Sequence, residues 1–105
     1  PTSQRANFGG TQPGPRAVGS YPLGAAVRGG VAVHDLAGNV AEWCADWLGA
    51  YLDPHNPPGS GAHRIVRGGH YGSGSAASAP ELRAAHRGSQ RPGIASPTLG
   101  FRCVE

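Results

Sequence analysis

A chain of 105 residues carrying nine arginines, no lysine and six acidic residues, net charge +3, forms at most one small domain with a limited core, for which a metal, a crosslink or a partner is a natural source of added stability. The arginines are dispersed rather than clustered, which speaks against a nucleic-acid surface, and no apolar run approaches the ~20 residues needed to span a bilayer. Eighteen glycines and ten prolines would suit low complexity, but two Trp, three Tyr and two Phe, with apolar runs at 31–33 and at Ile65 and Val66, point to a folded, loop-rich domain.

In chain order, residues 1–30 carry GGTQPGP, GSYPLG and RGG. These place turns every few residues and leave room only for short extended pieces such as 16–18, so this part reads as chain wrapping a surface. The start does not resemble a signal peptide. Over 40–51 two periods compete. Val40, Trp43, Trp47, Leu48 and Tyr51 suit an amphipathic helix, whereas Ala41, Trp43, Ala45 and Trp47 alternate with Glu42, Cys44 and Asp46 as on a strand. Residues 53–64 form a turn-rich loop of Pro and Gly. Three later runs, 64–67, 82–87 and 99–104, are bounded by Gly or Pro and predict strands. Between the first two, GGHYGSGSAASAPE has almost only small side chains and predicts an exposed loop. The pattern predicts an α+β domain of short antiparallel strands with much irregular, Gly/Pro-rich chain.

Three signatures stand in one order: GVAVHDLAGNVAEWCADW at 30–47, RIVRGG at 64–69 and LGFRCV at 99–104. They resemble those of the formylglycine-generating-enzyme/sulfatase-modifying-factor family, whose members commonly read G-L-x-D-M-x-G-N-V-W-E-W, then R-V-x-R-G-G-S-W, then G-F-R-C. The resemblance runs from about Ala6 to the end. It implies a C-type-lectin-like fold and an extended start through Glu42, Trp43 and Cys44. It also implies that residues 1–105 are the C-terminal part of one such domain, with the N-terminal half a separate or lost segment and a candidate partner.

The first candidate site is for calcium, a hard ion that takes six to eight oxygens. Asp35, Gly38, Val40 and Glu42 match a calcium site of the family, in which the outer two residues give side-chain oxygens and the inner two give carbonyls. The alternative is that Asp35 caps a turn and Glu42 pairs with an arginine. A second family calcium site lacks its carboxylate near Gly19, although Asn7 is an oxygen donor. Arg67 and Arg102 are expected to hold neighbouring strands through carboxylates such as Asp46 or Glu42, and Trp43 and Phe101 to anchor the core.

The second candidate is catalysis, where the chain departs from the enzymes it resembles. Those carry two cysteines soon after R-G-G, whose thiolates hold Cu(I), a soft ion suited to sulfur. Here Gly68 and Gly69 are followed by His70, Tyr71, Gly72 and Ser73, with no cysteine before Cys103, so copper is not expected. Nor do His34, His55, His63, His70 and His86 form the compact pairs of an iron or zinc site. His86 reads as structural. His70 and Tyr71 read either as a ligand-facing pair or as a packing pair where the loop begins.

Cys44 and Cys103 are the only cysteines. Relatives with E-W-C and G-F-R-C imply a Cys44 to Cys103 bridge, which would contribute about 4 kcal/mol by loop closure and favours an extracytoplasmic setting. Two reduced thiols, or a bond to the absent half, are the alternatives. Two functions remain open. One is a binding module that contacts a protein or small ligand through 70–80 and 88–98, with His70, Tyr71, Ser73, Ser75 and Gln90 as contact residues. Variable proteins of diversity-generating retroelements are of this kind. The other is an oxidoreductase of the same superfamily, for formylglycine formation or of the sulfoxide-synthase type, with its reactive residues upstream of Pro1.

Overall fold

Two consecutive glycines set the first regular element. Gly29 and Gly30 both have positive φ, 57° and 79°, which side chains other than glycine seldom adopt, and they close a two-residue turn whose twist suits an antiparallel hairpin. In a computed structural model, which describes residues 2–49, 58–75 and 78–103, this turn joins β1 (Ala26–Arg28) to β2 (Val31–Val33), with Arg28 opposite Val31. Every residue of both strands is exposed.

The second sheet holds β3 (Ala41–Trp47), β4 (Arg64–Arg67), β5 (Gly88–Gln90) and β6 (Leu99–Gly100), in the order β5-β4-β3-β6. β3 and β4 are antiparallel, as are β4 and β5, while β6 runs parallel to β3 with Glu42 opposite Gly100. Between Trp43 and Trp47 the register of β3 against β4 shifts. The Arg64 guanidinium lies 3.8 Å from the centroid of the Trp47 ring, a cation–π contact at this irregularity.

Alternation in β3 thus prevails over the helical period of 40–51, whose last member, Tyr51, lies outside the described residues. Among the described residues helical structure is limited to two 3-10 turns, Pro22–Gly24 and Pro80–Leu82. The second displaces the strand expected at 82–87. Pro80 opens the turn, His86 N–H donates to Arg83 O, and pairing with β4 resumes only at Gly88. The strand expected at 99–104 ends at Gly100, and residues 104 and 105 lie outside the described set. The extended piece expected at 16–18 joins no sheet. Its Arg16 is paired instead by a side chain, Asn39, whose Oδ1 accepts from Arg16 N–H at 2.7 Å and whose Nδ2 donates to Arg16 O at 3.1 Å.

The core corrects two expectations. The first residues do more than wrap a surface: Phe8, 1% exposed, packs with Ala6 and Ala79, and Leu82 closes over them. Gly9 N–H and Gly10 N–H donate to Ser73 O and Tyr71 O, so the segment holding Phe8 is pinned to the loop after β4. Phe101 is no core anchor, being 76% exposed, because β6 ends before it and its ring lies with Val18 and Val33 at the lining of a hollow. Trp43 is half-buried. Ala41, Ile65 and Val66 complete the buried apolar set within the sheet.

Candidate functional site

Among the described residues, two hollows beside the sheet gather several of the expected contact and calcium residues. The first is built where β4 ends. Gly68 and Gly69 have φ of 91° and 65°, a backbone conformation that favours glycine, and a Cβ on Gly69 would press on Leu82 Cδ2 at 2.7 Å. The following residues are then fixed by short-range bonds. His70 N–H donates to Ser73 Oγ at 2.9 Å, Ser73 N–H to His70 O at 2.9 Å, and Gly72 N–H to His70 Nδ1 at 3.1 Å. Tyr71 N–H donates to Asn39 O at 2.9 Å. Because Nδ1 of His70 accepts, a neutral ring carries its proton on Nε2. The Tyr71 ring meets His70 edge-on at 5.7 Å between centroids.

The hollow so formed has a volume of about 290 Å³, with Ala41 and Val66 among its apolar lining and Arg67, His70, Ser73, Glu81 and His86 contributing polar groups. Of the contact residues expected from sequence, His70 and Ser73 are brought together here and Tyr71 stands beside them. Ser75 instead exchanges backbone hydrogen bonds with Ser78. Gln90 sits exposed at the end of β5 opposite Arg64, away from the hollow's lining. Sequence reasoning did not single out Glu81, and it gave His86 to the structure rather than the site. The available signal was that Glu81 is the one acid in a run of small residues, set directly after Pro80.

The second hollow, of about 390 Å³, is lined by His34, Asp35, Asn39, Val40, Glu42 and Arg102, with Val18, Val33 and Phe101 on its apolar side. Asp35 and Asn39 have φ of 56° and 64°, which turns the loop sharply about Gly38. A Cβ on Gly38, φ 75°, would lie 2.3 Å from Asn7 O. Asp35 Oδ2 accepts from Gly19 N–H at 2.8 Å. Glu42 is held by Arg102 in a fork, Nε to Oε2 at 2.6 Å and Nη2 to Oε1 at 2.5 Å, and the same Nη2 donates to the carbonyl oxygens of His34 and Asp35. This bond to Glu42 holds the guanidinium above its ordinary pKa. Of the four expected calcium ligands, Asp35, Val40 and Glu42 border one space, while Gly38 is outside its lining and donates its N–H to Gly68 O. Both Glu42 carboxylate oxygens are already engaged by the Arg102 guanidinium. Among the described residues no group of three His, Cys, Asp or Glu side chains is placed to hold a metal.

The family model of the sulfatase-modifying factor enzyme 1-like domain matches residues 2–105. The chain belongs to this family. Within it, the chain is 42% identical over 77 residues to the formylglycine-generating enzyme of Streptomyces coelicolor, a match spanning 67% of the chain and 24% of that protein. It is 40% identical over 81 residues to the serine/threonine-protein kinase pkn1 of Chlamydia pneumoniae, across 70% of the chain and 12% of the kinase. Treponema denticola variable protein 1 is similar in structure, with a TM-score of 0.70 and 29% identity over 93% of the chain and 34% of that protein. The chain therefore spans between 12% and 34% of the length of these relatives.

In this sulfatase-modifying factor domain neither thiol is bonded: Cys44 is half-buried and Cys103 exposed. Strict continuation of the pairing of Glu42 with Gly100 would set Cys44 opposite Arg102 rather than Cys103. Burial pushes the Cys44 thiol above its ordinary pKa, against the opposing pull of Arg67, so the reactive thiolate is scarce there at neutral pH. With iodoacetamide, Cys103 is expected to alkylate first and Cys44 only as the pH rises. A raised folded pKa contributes stability below the unfolded value and loses it as pH climbs through the folded one, so alkaline pH also weakens the native state at this position. If instead neither thiol reacts until a reductant adds the mass of two hydrogens, the Cys44 to Cys103 bridge exists.

Proposed function

We propose that this domain is a ligand- or protein-binding module of the family that does without copper, with the hollow beside His70 at the centre of its contact surface. The observation that carries the reading is the hollow itself. Directly after Gly68 and Gly69, where copper-dependent relatives are expected to place their cysteine pair, the chain sets His70, Ser73, Glu81 and His86 around an open space. Likeness to a variable protein in structure supports a C-type-lectin-like scaffold whose loops between Gly69 and Gly100 take part in recognition. Sequencing clonal copies of the gene tests the retroelement origin: differences confined to that interval support it, and identical copies remove it.

A second reading, an oxidoreductase of the superfamily with reactive residues upstream of Pro1, draws on the 42% identity to a formylglycine-generating enzyme. The full-length parent, loaded with copper and given a peptide with a cysteine-containing sulfatase motif, tests the formylglycine-forming branch. Conversion of the thiol to an aldehyde establishes it and an unchanged thiol removes it, while iron content and turnover of a histidine-thiol substrate test the sulfoxide-synthase branch.

Calcium belongs to the proposal as a structural ion at Asp35, Val40 and Glu42, in competition with Arg102 for the Glu42 carboxylate. If calcium binds, Tm rises with added calcium and Glu42→Ala lowers it more in calcium than in chelator, because a ligand contributes only when its ion is present. Equal loss in both conditions assigns Glu42 to Arg102 alone.

A further inference from the structure

The β1–β2 hairpin is a sheet that stops at two strands. Val27 and Val31 are 70% and 65% exposed, and a Cβ on Gly29 or Gly30 would meet nothing within 4 Å, so the turn stands clear of the rest of the chain. Among the described residues the backbone of the two strands makes no hydrogen bond outside the hairpin. A lone two-stranded hairpin is at best marginally stable in water, and a third strand or a packed layer is what makes it durable. The free edge has a defined chemistry. Because the turn holds two residues, Arg28 and Val31 are the hydrogen-bonded pair that closes it, and the next pair, Val27 with Ala32, directs its N–H and C=O groups outward. The outer edge of β1 thus offers the Val27 N–H and C=O to a further strand.

What reaches this edge follows from where the first residues lie. Arg5 N–H donates to Thr2 O at 2.9 Å, which folds them into a turn. The Arg5 guanidinium donates through Nη1 to Leu23 O at 3.0 Å, and Gly24 lies so close that a Cβ there would run into Arg5 O. Ala26 opens β1 two residues later. Thr2 therefore stands within about 20 Å of β1, a gap that about six extended residues span. Variable protein 1 matches 93% of this chain with 34% of its own length, so most of that protein lies outside the matched part. We infer that an extended, apolar segment preceding Pro1 in the parent protein pairs with the outer edge of β1 as a third strand and lays its side chains beside Val27. Backbone hydrogen bonds give such an added strand its affinity and the apolar neighbour its register. Attachment to the same chain raises the local concentration of the segment, so a few residues suffice where a free peptide of the same sequence would dissociate.

The test uses the full-length parent and reads amide hydrogen exchange at Val27, whose N–H is directed away from β2. Exchange slowed on the order of 100-fold relative to an unstructured chain is the expected result, and free exchange at Val27 overturns the inference. A photoreactive p-benzoylphenylalanine placed at position 28, exposed on the same strand, then identifies the neighbour. An intramolecular crosslink to residues ahead of Pro1 is expected. A crosslink between two molecules, or protection of Val27 that vanishes on dilution, assigns the edge to a second copy and overturns the inference, as does a crosslink confined to residues 1–105. Deleting the crosslinked segment from the parent is expected to return Val27 to free exchange while Val66, paired in β4, stays protected and shows that the domain is still folded. Protection of Val27 that survives the deletion overturns the inference, and the exchange and crosslinking results on the intact parent decide the matter if the shortened protein does not fold.

Discussion

Phe8→Ala is expected to destabilise the domain by about 3–5 kcal/mol, the range for truncating a buried aromatic. Phe8 is 1% exposed and is the largest fully buried side chain. Its partners Ala6, Ala79 and Leu82 are small or partly exposed, and they cannot collapse far into the space that the ring leaves. Native stabilities are roughly 5–15 kcal/mol, so a loss of this size removes a large share of the total. Chemical denaturation read by tryptophan fluorescence provides the check, because Trp43 and Trp47 lie on β3 and report on a different part of the molecule. A loss below 1 kcal/mol would mean that Phe8 is not the centre of this core.

Asn39→Ala is expected to cost about 2–4 kcal/mol, from two sources. The side chain is buried and ties together the Arg16 N–H, the Arg16 carbonyl and the Asn7 side-chain amide. A hydrogen bond contributes about 1 kcal/mol net, and more where a partner is left unsatisfied. Asn39 also has φ of 64°, a conformation that asparagine tolerates better than alanine. Asn39→Gly separates the two, since glycine restores the backbone freedom without the amide. The difference between the two variants in denaturant midpoint measures the backbone share. Asn39→Ala should also loosen Tyr71, whose N–H donates to Asn39 O, and with it the rim of the His70 hollow.

How far these features can be read from sequence depends on whether they are local. The run RIVR gives β4 because β-branched residues bounded by glycine have little choice. Alternation through Ala41, Trp43, Ala45 and Trp47 gives β3. By contrast, Gly88, Ser89 and Gln90 have no strand character of their own. They become β5 because β4 offers an edge to pair with, while the better strand formers at 82–87 are bent away by Pro80 and the turn at Arg83. Phe8 lies among glycines and prolines without a period, so nothing local marks it as core. Phe101 misleads in the opposite direction, being an aromatic in a strand-like run that stops one residue before it. At the site, His70 and Ser73 were legible from their place after Gly68 and Gly69. Glu81 was not, since only the folded chain brings the Pro80–Leu82 turn against the residues after Gly69.

The parallel pairing of β6 with β3 bears on the order in which the molecule assembles. The β1–β2 hairpin closes over two residues and can form within microseconds of the chain becoming available. The ladder from Ala41 to Leu99 joins positions more than half the chain apart, and its loop-closure entropy must be met before any contact rewards it. One side of β3 therefore stays open until Leu99 and Gly100 are made. During synthesis the nascent domain would expose the β3 edge until Leu99 and Gly100 pair with it, after which the Arg102 fork can close on Glu42.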